Sequence, residues 1–211
     1  ISYYQNYQFN PVHIPVEEQN EWKNHVDKRR NLYENHLKIP FNLLRGRSIL
    51  EFGCNSGENA LVHAEMGAEL TLVEPNEQVI PRLEQLFKKF KLEHCIKAML
   101  QESIESFKTE DKYDVVLAEG YLNILSTRNQ MVEKICDLLV SGGIGIISFD
   151  DTHGSLVELV KRTILWKACE LKGITDIQST NSLNLAKIFF EDDFIKIAAS
   201  RNLESWWRDQ L

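Results

Sequence analysis

Between residues 48 and 149 five short apolar runs alternate with helical stretches, and that alternation leaves few folds open to the chain. The runs are 48–53 (SILEFG), 69–74 (ELTLVE), 95–100 (CIKAML), 113–119 (YDVVLAE) and 143–149 (GIGIISF). Near-continuous Val, Ile and Leu in such runs marks strands covered on both faces, as a parallel sheet requires. Helices are expected near 57–66, 76–90, 127–139 and 153–170. Right-handed crossovers then predict an α/β, doubly wound, mainly parallel sheet in core order 3-2-1-4-5 with helices on both faces. Gly142 and Gly143 read as the end of the fourth helix and the turn into the fifth strand.

A chain of 211 residues supports one α/β domain with a full core. Within it, 1–40 reads as an N-terminal arm and helix packed on the core and 41–152 as the core. Residues 153–211 read as a helical C-terminal part, serving as a lid or as the truncated end of the core. Trp22, Val26, Tyr33 and Leu37 share one face of the leading helix, with Arg29 and Arg30 at its edges. The chain opens on Ile1, so further residues are expected around it in the full protein.

A net charge of -7 disfavours a groove that tracks a nucleic-acid backbone, so no nucleic-acid partner is expected. No apolar run approaches the roughly 18 residues that a membrane span needs. The four cysteines form no CxxC pair and sit in apolar or helical contexts, which suits free buried thiols in the cytoplasm better than a disulfide framework or a metal site.

The residues after each strand gather polar and glycine positions on one edge of the sheet, where open α/β sheets bind ligands. They are Gly53 to Gly57, Glu74, Gln101 with Glu102, Glu119 to Tyr121, and Asp150, Asp151 and His153. A dinucleotide fingerprint needs glycines at 53, 55 and 58, but Asn55 and Glu58 break it, and a carboxylate in the first helical turn competes with a pyrophosphate there. Glu74 stands roughly 20 residues after the turn, where an acid grips a ribose diol. A ligand with a ribose, no phosphate and tolerance of carboxylates is implied.

In order and spacing, residues 48–151 resemble a class I S-adenosylmethionine-dependent methyltransferase. LEFGCNSG is similar to the family's acidic, glycine-rich loop and LVEPNE to its second-strand acid. QESIESFKTEDKYDVVLAEG is similar to the run from the adenine loop into the fourth strand, and LLVSGGIGIISF to the turn before the fifth. The resemblance implies S-adenosylmethionine as cofactor. It implies that Gly53, Cys54, Asn55 and Gly57 line its methionine part above Glu51, that Glu74 with Pro75 takes the ribose, and that Gln101 or Glu102 with the Ser103 amide takes the adenine. Glu119, Gly120 and Tyr121 would border the reactive methyl, with Arg29, Arg30 and Tyr33 reaching the carboxylate, or the two arginines snorkelling at a solvated edge. Each of these residues has an ordinary alternative as a cap, turn or core residue.

The expected reaction is methyl transfer to a small-molecule or glycan-precursor acceptor, on oxygen, with His153, Asp150 and Asp151 as base candidates. His153 is equally placed to start the next helix. Phe189, Phe190, Phe194, Trp206 and Trp207 suggest a lid or a homodimer surface. Alternatives are a silent methyltransferase-like interaction module and an NAD-dependent oxidoreductase. The two further strands that end most class I sheets are not legible here.

Overall fold

Strand β1 (Ser48–Phe52) lies at the centre of a five-stranded sheet, and all of its residues after Ser48 are buried. Beside it run β2 (Glu69–Val73) and β4 (Tyr113–Ala118), with β3 (Ile96–Leu100) and β5 (Leu139–Ile147) outside them. The order is β3-β2-β1-β4-β5 and every pairing is parallel, as the alternation of runs and helices requires. The computed structural model describes residues 15–122, 125–149, 151, 153–177 and 179–192. Of the site expectations, Asp150 falls outside them, as do Phe194, Trp206 and Trp207.

Alternation along the strands divides the core into two layers. Ile49, Leu70, Leu72, Val115 and Leu117 face one cluster, which helices α2 (Glu58–Glu65) and α3 (Ile80–Lys89) cover with Leu61, Ala64, Leu83 and Phe87. Leu50, Phe52, Val73 and Val116 face the other, closed by Ile104, Phe107 and helix α4 (Arg128–Asp137) through Met131 and Ile135. Burying Leu83 and Phe87 contributes about 2 kcal/mol each. That outweighs the missing side-chain cap of α3, worth about 1 kcal/mol.

The leading helix α1 (Gln19–Asn31) continues as one π-helical turn, Leu32–His36. Its buried stripe is not the apolar one that the sequence suggests. His25, Arg29 and Tyr33, each four residues apart, point inward, while Trp22 and Val26 are half-buried and Leu37 is exposed. Tyr33, Phe41 and Leu44 belong to the same cluster as the sheet, so the leading helix packs on the core.

Helix α3 begins at Ile80 instead of near 76. Asn76 closes a turn first: its Oδ1 accepts from the Gln78 amide at 3.1 Å and its carbonyl from Val79 at 3.0 Å. The Gly142-Gly143 pair does not end a helix either. Tyr113 pairs with Leu139 but Val115 with Ile144, so both glycines lie in a bulge within β5. There Gly142 has φ +80, and a Cβ on Gly143 would stand 3.0 Å from the Val140 carbonyl oxygen.

The chain divides at residue 150 into two compact units. In the second, α5 (Leu156–Leu171) and α6 (Thr180–Phe189) pack Leu165, Cys169, Leu183 and Ala186 into a small core of their own. No strand follows Ile147 among the described residues.

Candidate functional site

The turn after β1 is held by three left-handed residues in alternation: Gly53 (φ 67), Asn55 (φ 48) and Gly57 (φ 87). Asparagine tolerates this region, so the broken glycine pattern keeps the same backbone path. A Cβ on Gly53 would meet Tyr121 Cε1 at 2.7 Å, and one on Gly57 would meet Leu83 Cδ2 at 2.3 Å. Both glycines therefore admit close approach, of a ring in one case and of α3 in the other.

Glu74 stands at the end of β2, buried and aimed at this turn. Its Oε2 accepts from the Asn55 amide and its Oε1 from the Asn76 amide, each at 3.0 Å. A carboxylate oxygen has two lone pairs, so the arrangement orients the carboxylate and leaves acceptor capacity on both oxygens. Pro75 follows it, half-buried. Burial pushes the Glu74 carboxyl up, the two amides pull it down, and the charge of Glu51 raises it again. Cys54, buried between the two acids, has its thiol pushed well up by burial and then by Glu51 and Glu74. It stays a protonated thiol.

Beneath the turn runs a buried polar chain that ties β1 to β4. The Arg29 guanidinium grips Glu119 at the end of β4, Nη2 donating at 2.8 Å and Nη1 at 3.3 Å. Burial works against its charge, and the Glu119 carboxylate outweighs that effect. His63 on α2 is fully buried, with the Tyr33 hydroxyl 3.0 Å and Arg29 Nη2 3.5 Å from its Nε2. Its Nδ1 faces Glu51 Oε2 at 3.4 Å.

Of the two arginines singled out in the sequence, Arg30 is exposed, with its guanidinium 5.6 Å from the Phe41 ring centre. Of the two, Arg29 is the one that enters the buried layer. The cause is helical phase: Arg29 is four residues before Tyr33 and shares its face, its guanidinium 5.4 Å from that ring's centre. Tyr33 is buried, which raises its hydroxyl, and the group lies 3.0 Å from His63 Nε2. His63 is the residue that sequence reasoning missed. Its signal was Glu51, a carboxylate inside an apolar strand that demands a buried partner.

Tyr121 lies with its ring against Gly53, and its hydroxyl is buried without a partner among the described residues, its ionisation pushed up by burial and by Glu105, Glu74 and Glu51. Gly120 is exposed and its amide donates to Ser148 Oγ. Gln101 is exposed and Glu102 half-buried. The Ser103 amide, expected to be open, already donates to Ser106 Oγ at 3.1 Å. Asp151 and His153 belong to the second unit, with side chains 75% and 96% exposed. Asp151 Oδ2 accepts from the Gly154 amide at 3.0 Å, in the turn before α5. Among the described residues no cluster of His, Cys, Asp or Glu is arranged for a metal.

Three carboxylates (Glu51, Glu74 and Glu119) thus stand at the ends of β1, β2 and β4, and the Arg29 guanidinium beside them is already paired with Glu119. That acceptor set repels phosphate and suits a cationic ligand with hydroxyl donors.

Residues 50–144 match the model of a methyltransferase domain. No curated protein matches the sequence. Among solved structures, PKMT2 from Rickettsia typhi, in complex with AdoHcy, aligns at a TM-score of 0.57 and 18% identity, over 73% of this chain and 29% of that one. Coclaurine N-methyltransferase, bound to N-methylheliamine and SAH, aligns at 0.50 and 18%, over 58% of this chain and 35% of its own. This chain spans about a third of the length of each. The sheet order is that of the Rossmann-like methyltransferase fold, and the matched domain lies on its core strands.

Proposed function

We propose that this chain, built on the methyltransferase domain matched over residues 50–144, transfers a methyl group from S-adenosylmethionine to a small-molecule or glycan-precursor acceptor, on oxygen. The observation that carries the reading is Glu74, a buried carboxylate fixed by the Asn55 and Asn76 amides with lone pairs to spare for a ribose diol. The acidic, phosphate-hostile acceptor set fits this cofactor and not a dinucleotide. Glu51 would face its ammonium, and the Tyr121 ring its sulfonium.

The cofactor, when bound, supplies an activated methyl group whose transfer is an in-line displacement. The chain's own contribution is then positioning and exclusion of water. The amides of Asn55 and Asn76 keep Glu74 in one orientation, so little reorganisation is needed when two hydroxyls arrive. Arg29 holds Glu119 at the mouth of β4, which keeps that carboxylate from wandering as charge changes nearby. For a hydroxyl acceptor, His153 is the proposed proton acceptor.

An acidic chain disfavours polyanionic acceptors by its field alone. Four unpaired cysteines support action in a reducing compartment, with Cys136 exposed rather than buried as expected. No helix among the described residues is long and apolar enough to cross a membrane. The test is transfer of labelled methyl from S-adenosylmethionine to a small-metabolite pool, nucleic acid and protein extract offered separately. Label in the small-metabolite fraction supports the proposal; label confined to nucleic acid or protein overturns the acceptor class.

A further inference from the structure

Glu51 and His63 each carry a buried atom with no hydrogen bond, Oε2 of the one and Nδ1 of the other, and these two atoms are 3.4 Å apart. A buried acceptor and a buried donor left unsatisfied are costly, so their juxtaposition has to be read together. What little of the Glu51 side chain is exposed, 7%, lies away from Oε2. The carboxylate is therefore backed by His63 at Oε2, and only its small exposed part lies away from the ring.

The neighbours decide which ring nitrogen carries the proton. On the far side of the ring, Nε2 faces Arg29 Nη2, which can only donate, and the Tyr33 hydroxyl at 3.0 Å. Nε2 thus offers its lone pair, which assigns the proton to Nδ1, 3.4 Å from Glu51 Oε2. Arg29 is fixed in turn by Glu119, so the ring is clamped from β4 through to β1.

We propose that His63 is a positioning residue that aims the Glu51 carboxylate at a cationic amino group bound over the glycine turn. It rests on the reading of Glu51 as the acid facing the cofactor's ammonium, and it adds a residue that never touches the ligand. The consequence is selective. Disturbing His63 weakens ligands that carry the amino-acid portion and spares those that lack it, whereas a residue that merely supports the fold weakens both.

Two substitutions separate the ring nitrogens, because Asn carries its amide nitrogen at the reach of Nδ1 and Gln at the reach of Nε2. Binding of S-adenosylhomocysteine and of 5′-methylthioadenosine, which lacks the amino-acid portion, is measured for the wild type, His63→Asn and His63→Gln, with thermal melts to establish folding. His63→Gln is expected to lose about tenfold in affinity for S-adenosylhomocysteine and little for 5′-methylthioadenosine, and His63→Asn to restore most of the difference. Equal losses for both ligands, or an Asn variant as impaired as Gln, overturn the inference and leave the proposed function standing. A wild-type protein that binds neither ligand overturns the proposed function and the inference with it.

Discussion

The Arg29 guanidinium lies on the Glu119 carboxylate at 2.8 Å and 3.3 Å across 90 residues of sequence, fastening α1 to the end of β4. The two ends are not equally buried: the Arg29 side chain is 9% exposed and that of Glu119 23%. Removing the carboxylate strands a buried cation, so Glu119→Ala should cost about 3 kcal/mol. Arg29→Met leaves a carboxylate that water can reach and keeps an apolar stem against Tyr33, so about 1 kcal/mol is expected. Urea unfolding of both variants measures the asymmetry, and equal or reversed costs would rule out this account of the pair.

Gly57 is where the turn meets α3. A Cβ there would stand 2.3 Å from Leu83 Cδ2 at a φ of +87, so Gly57→Ala should destabilise by about 3 kcal/mol from clash and backbone strain together. Trimming Leu83 to Ala in the same chain relieves the clash but not the strain. The double variant should then lose clearly less than the two single losses added, and strict additivity would show that Leu83 is not what the glycine accommodates.

The sheet was legible because both faces of each strand are covered, which writes continuous Val, Ile and Leu into the sequence and leaves the helices between them to set the order. The site was legible only where it follows the strand ends: Glu51, Gly53 and Glu74 stand where the pattern puts them. The polar chain behind them was not. Apolar spacing on α1 marks Trp22 and Val26, whereas His25, Arg29 and Tyr33 are the buried set, and only a partner such as Glu119, distant in sequence, makes a buried arginine affordable. His63 looks like a surface residue until Glu51 is placed across from it.

Burial, reinforced by the charge of Glu51, holds the Glu74 carboxyl above its ordinary range despite two amide donors. The folded state therefore keeps this proton to higher pH than the unfolded chain. Glu74's contribution to stability is largest at low pH and falls as pH rises from the unfolded value of about 4.3 through the raised folded one. Ligand affinity runs the opposite way, because only the ionised form offers both oxygens. Binding of S-adenosylhomocysteine should weaken on acidification at a higher pH than an exposed glutamate would impose, and Glu74→Gln should flatten that profile. An unchanged profile in the variant would take Glu74 out of the response.

Tyr121 buries a hydroxyl that no group among the described residues satisfies, while its ring covers Gly53. Tyr121→Phe should thus be neutral or stabilising by about 1 kcal/mol in thermal melts. It keeps the ring face, so ligand affinity should hold, whereas Tyr121→Ala should lose it. A strong loss of affinity in the Phe variant would show instead that the hydroxyl binds the ligand.

The central claim is that the carboxylate-lined turn takes S-adenosylmethionine and rejects phosphate-bearing nucleotides, and calorimetric titration tests it most directly. Wild-type protein titrated with S-adenosylhomocysteine and, separately, with NAD should bind the first and not the second, and Glu74→Ala should weaken that binding by about 1–3 kcal/mol while the fold survives. Binding of NAD, or S-adenosylhomocysteine affinity equal in the wild type and Glu74→Ala, would contradict the account.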